Sequence, residues 1–276
     1  RRQLRIPLIY ASLGLALVVT AIVWGDPPVW EIWVPFAVTF VALEFSAVEV
    51  NDRLFQSSGV MVATTAGTYF ALHPDASAFT AMVLMAALGP FVIEDFRQRR
   101  WFQPTANFGQ MVITAGISGL ILDALLSDAG AIASSRLPLV ALAGSLGSGL
   151  YSLINTMMVR IAVRSVYGKR NVMPWSGMPL LMGSQVTMGL LGGLLGAALY
   201  VVEQAAVAAL LLVVYFIAHL SLSSYSQLRE AHQAALRGFV KALEARDLYT
   251  RGHTERVAYF AQLIGEELRF TGTQLE

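Results

Sequence analysis

The 276-residue chain contains no cysteine at all. That excludes disulfides, thiolate metal sites, iron–sulfur clusters and cysteine nucleophiles together. Charge is also scarce: Asp, Glu, Lys and Arg make up 13% of the residues, about half the 25% carried by a soluble domain. With 56% hydrophobic residues and a mean hydropathy of +0.60, the composition argues for a polytopic membrane protein. The net charge of +1 gives no footing for nucleic-acid binding, and nucleic acid is not an expected partner. The first apolar run lacks a small-residue cleavage site and further runs follow it, so no cleavable signal peptide is read here.

What the chain does have is long apolar segments. About 20 apolar residues are needed to cross a hydrocarbon core of about 30 Å. On that ruler eight spans are expected, at 7–24, 31–50, 57–73, 76–95, 102–126, 137–162, 179–201 and 204–222. The third is short and rich in Ser, Thr and Gly, and reads as a partly extended or broken helix. Of the 12 Lys and Arg residues before Ser223, 11 fall in the N-terminus or in even-numbered loops, and only Arg136 falls in an odd one. Because positive charge stays cytoplasmic, both termini are expected on the cytoplasmic side. Trp24, Trp30 and Trp33 are placed at one membrane interface, Trp101 and Trp175 at the other. Small residues recur at helical spacing in span seven (Gly189, Gly193, Ala197; Gly192, Gly196) and span six (Ala141, Ser145, Gly149), a pattern that lets helices approach closely in lipid.

Several spans carry a polar residue at similar depth: Glu44, Asn107, Gln110, Asn155, Gln185 and His219. They are expected to converge as one layer in the cytoplasmic third. Ordinary interhelical hydrogen bonding and a ligand- or proton-sensing site are both open readings.

Beyond the last span, "YFIAHLSLSSYSQLREAHQAALRGFVKALEARD" contains no proline and one glycine, and reads as a helix leaving the bilayer. Leu236, Phe239, Val240 and Leu243 follow the spacing of one helix face. That stripe fits either packing on a neighbouring helix or a homodimeric signalling helix. Next comes "DLYTRGHTERV", from Asp247 to Val257. Val257, Phe260, Ala261, Ile264 and Leu268 form a second stripe, and His253 falls on the same face, expected to be buried. Thr250 is the expected N-cap. A buried imidazole must be hydrogen-bonded or bound to a metal, and the residues alone leave both open.

The stretch "FVKALEARDLYTRGHTERVAYFAQLIGEEL" resembles the opening of an HD-GYP domain, a branch of the HD metal-dependent phosphohydrolases. The match centres on His253-Thr254-Glu255-Arg256-Val257, with Thr254 where the family usually has Ser. The resemblance implies an all-α domain holding divalent metal ions, iron or manganese, with His253 as a metal ligand and Arg256 in a supporting role. It implies cyclic di-GMP as substrate, hydrolysed by a metal-activated hydroxide. Tyr249 stands where three-metal members carry Glu, which implies a two-metal site. The paired His-Asp and the Gly-Tyr-Pro signature do not occur in this sequence, so no catalytic residue is assigned. The covered chain alone is not expected to catalyse, and the parent protein is expected to be longer. The membrane half, through "VTFVALEFSAVEV" and "WFQPTANFGQMVITAGISGLIL", resembles membrane regions attached to such output domains.

The expected fold class is therefore all-α. A membrane domain (1–222) is followed by a connecting helix (223–246) and the start of an HD-GYP-type domain (247–276). The expected function is a signalling protein of the bacterial cytoplasmic membrane in which the first part regulates the last. A transport or substrate-binding subunit, and a structural subunit of a larger membrane complex, are the alternatives.

Overall fold

The computed structural model describes residues 5–45, 48–51, 54–56, 59–89, 101–127, 136–167, 178–201, 220, 224, 227–228, 231–242 and 252–268. In chain order these form α1 (Arg5–Trp24), α2 (Trp30–Phe45), β1 (Val48–Asn51), β2 (Leu54–Gln56), α3 (Gly59–Leu72), α4 (Ala78–Ala87), α5 (Phe102–Leu126), α6 (Leu137–Tyr167), α7 (Met178–Val201) and α8 (His253–Glu267). Residues 231–242 are helical as well. The chain divides into two units, Arg1–Ala47 with Ser57–Phe216, and Val48–Gln56 with Ile217–Glu276.

Among the described residues four helices are long and apolar enough to cross a membrane, Arg5–Trp24, Pro104–Leu126, Leu137–Val166 and Met182–Val201, fewer than the eight spans expected. The segment 31–50 gives α2, which stops at Phe45 after 16 residues because Val48 begins a strand. The segment 57–73 gives α3, continuous but only 14 residues long, and 76–95 gives α4 with 10. At 1.5 Å per residue such helices reach about 21 and 15 Å, short of the hydrocarbon core. Positions 90–95 and nearly all of 204–222 lie outside the described residues.

The described residues are all-α apart from one short hairpin. β1 and β2 pair antiparallel, with Val48 opposite Gln56, Glu49 opposite Phe55 and Asn51 opposite Leu54. Val48 and Val50 are β-branched and alternate with polar residues, and Asn51-Asp52 supplies residue types that favour turns.

α3 is the hub of the first unit. Of its residues only Met61 is not buried, and it packs on α2, α4, α5, α6 and α7. α7 carries two adjacent small-residue stripes that serve two neighbours. A Cβ on Gly189 would strike the Ser148 side chain and the Gly144 carbonyl of α6. One on Gly192 would lie 2.7 Å from the Met61 carbonyl of α3. The span-seven pattern thus marks real close approaches. On α6 the contact is made by Gly144 and Ser148, three residues beyond Ala141 and Ser145. Gly149 lies against Val186.

Trp24, Trp30 and Trp101 are exposed, as interface residues should be. The Trp33 ring is buried and its indole N–H donates to the Ala81 carbonyl of α4 at 2.9 Å. A buried indole needs such a partner, and α4 supplies it. Trp175 lies outside the described residues.

A polar cluster inside the helical unit

Gln110 and Thr114 stand one turn apart on α5, and Tyr151 and Asn155 one turn apart on α6. Side chains four residues apart share a face, so two polar pairs meet across the α5–α6 contact. The Gln110 amide Nε2 donates to Asn155 Oδ1 at 2.6 Å. Tyr151 stands near Thr114 of α5 and near Glu44 in the last turn of α2. Thr114 also donates back to the Gln110 carbonyl at 2.9 Å. Gln110, Thr114 and Tyr151 are buried, and Glu44 and Asn155 half-buried. A carboxyl, a phenol, two amides and a hydroxyl from three helices therefore lie near one another. In an apolar bundle every such group has to find a partner, which limits the positions these helices can take.

Of the six residues expected to converge, Gln110 and Asn155 are hydrogen-bonded to each other and Glu44 lies near Tyr151. Asn107 is half-buried on α5, one turn before Gln110. Gln185 is buried on α7 and makes no hydrogen bond to the cluster among the described residues. His219 lies outside the described residues. Sequence reasoning missed Thr114 and Tyr151 because it scored depth for charges and amides and passed over hydroxyls. The heptad-like placement of Tyr151 four residues before Asn155 was the available signal.

A second polar arrangement was also missed. Asp123 of α5 grips the start of α4: its carboxylate accepts from Ser77 Oγ at 2.8 Å, from the Ala78 N–H at 2.8 Å and from the Phe79 N–H at 3.0 Å. Ser77 in turn caps the Thr80 N–H. These are the orphan donors of a helix start, and a carboxylate there is favoured by the helix dipole as well. Gly119, one turn before Asp123, makes room: a Cβ on it would lie 2.6 Å from the Phe79 Cα.

In the second unit, His253 is the first residue of α8 and is exposed. Val257, Phe260, Ile264 and Leu268 are exposed too, so the expected burial of this face is corrected for the described residues. The helix is entered through Gly252, whose φ of +70° lies in the left-handed region open to glycine. The Gly252 carbonyl accepts the Arg256 N–H at 3.3 Å; the expected N-cap Thr250 lies outside the described residues. Leu236 and Phe239 of the connecting segment are exposed, and Val240 is half-buried. Leu243 lies outside the described residues. Among the described residues no three His, Asp or Glu side chains stand close enough to hold a metal ion. No family model, no curated protein and no solved structure matches the chain.

Proposed function

We propose that the chain is the regulatory membrane part of a bacterial signalling protein, multi-pass in the cytoplasmic membrane with both termini cytoplasmic. In this reading α8 opens an HD-GYP-type metal-dependent phosphodiesterase domain acting on cyclic di-GMP. The observation that carries it is the stretch Asp247–Val257, in which a left-handed Gly252 turns the chain directly into a helix with His253 first. In this reading His253 is the first of a set of metal ligands. The described residues supply one such ligand and not a complete site, so no reaction step is drawn through the metal. Bound in a complete site, paired ions would activate a water and stabilise the oxygens of an in-line displacement. The Glu44–Tyr151 cluster is the sensing element in this reading. An ionisable residue such as Glu44 inside a membrane bundle is by default a candidate functional group.

The test is the protein produced from its whole open reading frame. It is expected to carry iron or manganese and to hydrolyse cyclic di-GMP, and His253→Ala is expected to lower hydrolysis by about 100-fold or more with loss of bound metal. Unchanged metal content and unchanged hydrolysis in His253→Ala would overturn the assignment.

A second reading is supported by the short helices α3 and α4, since interrupted membrane helices often frame transport sites. In that case a small solute, not a regulatory state, would occupy the bundle. Uptake by vesicles containing the protein would favour it.

A further inference from the structure

The turn that leads from α3 into α4, His73-Pro74-Asp75-Ala76-Ser77, is held by two side chains that titrate. Pro74 has no N–H to place. The Asp75 N–H is taken by the His73 imidazole, whose Nδ1 accepts it at 3.4 Å. The His73 backbone adds two bonds: its N–H donates to the Phe70 carbonyl at 3.2 Å, and its carbonyl accepts the Ala76 N–H at 3.4 Å. At the far end of the turn the Asp123 carboxylate of α5 accepts from the Ser77 hydroxyl and from the Ala78 and Phe79 N–H groups. Each side-chain acceptor serves in one protonation state. An imidazole nitrogen accepts only while it carries no proton, and in the imidazolium both nitrogens donate. A carboxylate accepts at both oxygens only while it is ionised.

We propose that this turn is a pH-sensitive latch and that His73 is the group that opens it. Protonation of Nδ1 sets one N–H against another, so the ring has to swing away and the Asp75 amide loses its acceptor. Imidazole is the side-chain type whose charge ordinarily changes between pH 5 and 8, which sets the range to examine. The ring lies beside Tyr69, with centroids 6.4 Å apart, so its swing is felt at the end of α3. The start of α4 is then left on the Asp123 clamp. That start matters to the bundle, because the Ala81 carbonyl of α4 accepts the buried Trp33 indole of α2. The titratable and charged groups around the latch are Tyr69 of α3, Tyr200 of α7 with its ring 6.0 Å from that of Tyr69, Asp75 in the turn and Asp123 of α5. Asp26 after α1, Glu31 in the first turn of α2 and Arg136 ahead of α6 stand at the same end of these helices. Of all these, Asp123 also bonds the segment. The inference deepens the regulatory reading by naming protons as a signal. It rests on that reading for the compartment sensed, since two cytoplasmic termini put this turn on the opposite face of the membrane. The titration of the latch does not depend on it.

The test is amide hydrogen exchange of the full chain in lipid nanodiscs at about pH 7.5 and about pH 5.5, read by mass spectrometry and corrected for the intrinsic rate at each pH. Protection of the amides from Asp75 to Thr80 is expected to fall about tenfold at the acidic pH, while that of Val112 to Gly116 within α5 stays level. His73→Gln offers an oxygen acceptor that does not titrate. It is expected to match the parent at the higher pH and to lose the step. Asp123→Asn is expected to lower protection at both pH values and to keep the step. A parent without a step overturns the latch. So does a step that survives in His73→Gln, or one that disappears in Asp123→Asn. Nitrogen NMR of the parent labelled in its histidines gives a reading that needs no variant: Nδ1 of His73 is expected to be unprotonated at the higher pH, and a protonated Nδ1 there overturns the proposal. Cyclic di-GMP hydrolysis plays no part in these measurements. Its absence would remove the phosphodiesterase reading and leave the latch to stand or fall on exchange.

Discussion

α1 and α3 are both apolar from end to end, and the structure uses them in opposite ways. α1 buries only Pro7, Tyr10, Gly14 and Ala21, one narrow face, and shows Leu8, Ile9, Leu13, Leu15, Val19 and Ile22 on the rest. α3 buries all of its residues but one. The difference is in size, not in oiliness. Most of the exposed positions of α1 are Leu, Ile and Val, whereas α3 is built on Gly59, Ala63, Thr64, Thr65, Ala66, Gly67, Thr68 and Ala71. Lipid tails are as apolar as leucine, so hydropathy does not separate a lipid-facing helix from a central one. Close approach of backbones does, and small residues permit it. The threonines fit the same logic, since Thr64 and Thr65 return their hydroxyls to the Val60 and Met61 carbonyls one turn back.

The comparison is broken most directly where α3 meets α7. A Cβ on Gly196 would strike the Thr65 carbonyl and lie 2.8 Å from Thr68 Cβ. Gly196→Val is expected to cost about 3 kcal/mol, the upper end of overpacking penalties. Thermal unfolding in detergent would show it as a large fall in Tm and loss of the monodisperse peak. A variant as stable as the parent would mean that α3 is not held as tightly as its burial implies.

The next largest effect concerns how α4 is held beside α3. Asp123→Ala removes three acceptor contacts from the start of α4, and a loss of about 2 kcal/mol is expected. Asp123→Asn keeps one acceptor oxygen and should recover part of that loss. Equal losses in the two variants would show that the carboxylate charge, and not the acceptor geometry, holds α4.

The polar cluster gives a smaller effect on stability. Asn155→Leu breaks the 2.6 Å bond to Gln110, and interhelical hydrogen bonds in membranes average about 0.6 kcal/mol. A loss of that size, read by the same unfolding measurement, is expected. A loss of several kcal/mol would make the cluster a structural keystone and weaken its sensing role.

These cases also show what the residues announced and what they concealed. The ends of α5 at 102 and 126 and the boundaries of α7 were legible because long apolar runs stop at polar or turn-forming residues. The glycine stripes of α7 were legible because helical spacing alone defines a face. The interruption of α2 before Val48 was not legible: "ALEFSAVEV" is apolar enough to continue a span, and only the pairing with Leu54–Gln56 decides for a strand. Half of the polar cluster was visible as charges and amides at matched depth. Tyr151 and Thr114 were not, because a hydroxyl can satisfy itself on its own helix and carries no signature of a cross-helix bond. Asp123 was hidden for a different reason: its partners are backbone N–H groups of α4, which no side-chain pattern records.

The smallest expected effect lies on α1, and it sharpens the comparison most. Leu13 is 53% exposed and Ile22 65%. If α1 meets lipid there, these side chains sit in hydrocarbon both before and after the helices pack, and truncation removes little that folding gains. Leu13→Ala and Ile22→Ala are then each expected within about 0.5 kcal/mol of the parent. A leucine enclosed by protein behaves otherwise, since its loss leaves a cavity and costs about 2 to 5 kcal/mol. Should Leu13→Ala fall in that higher range in the unfolding measurement, the bare face of α1 is covered by another chain and not by lipid. A second measurement, the mass of the particle in detergent, would then have to show more than one copy.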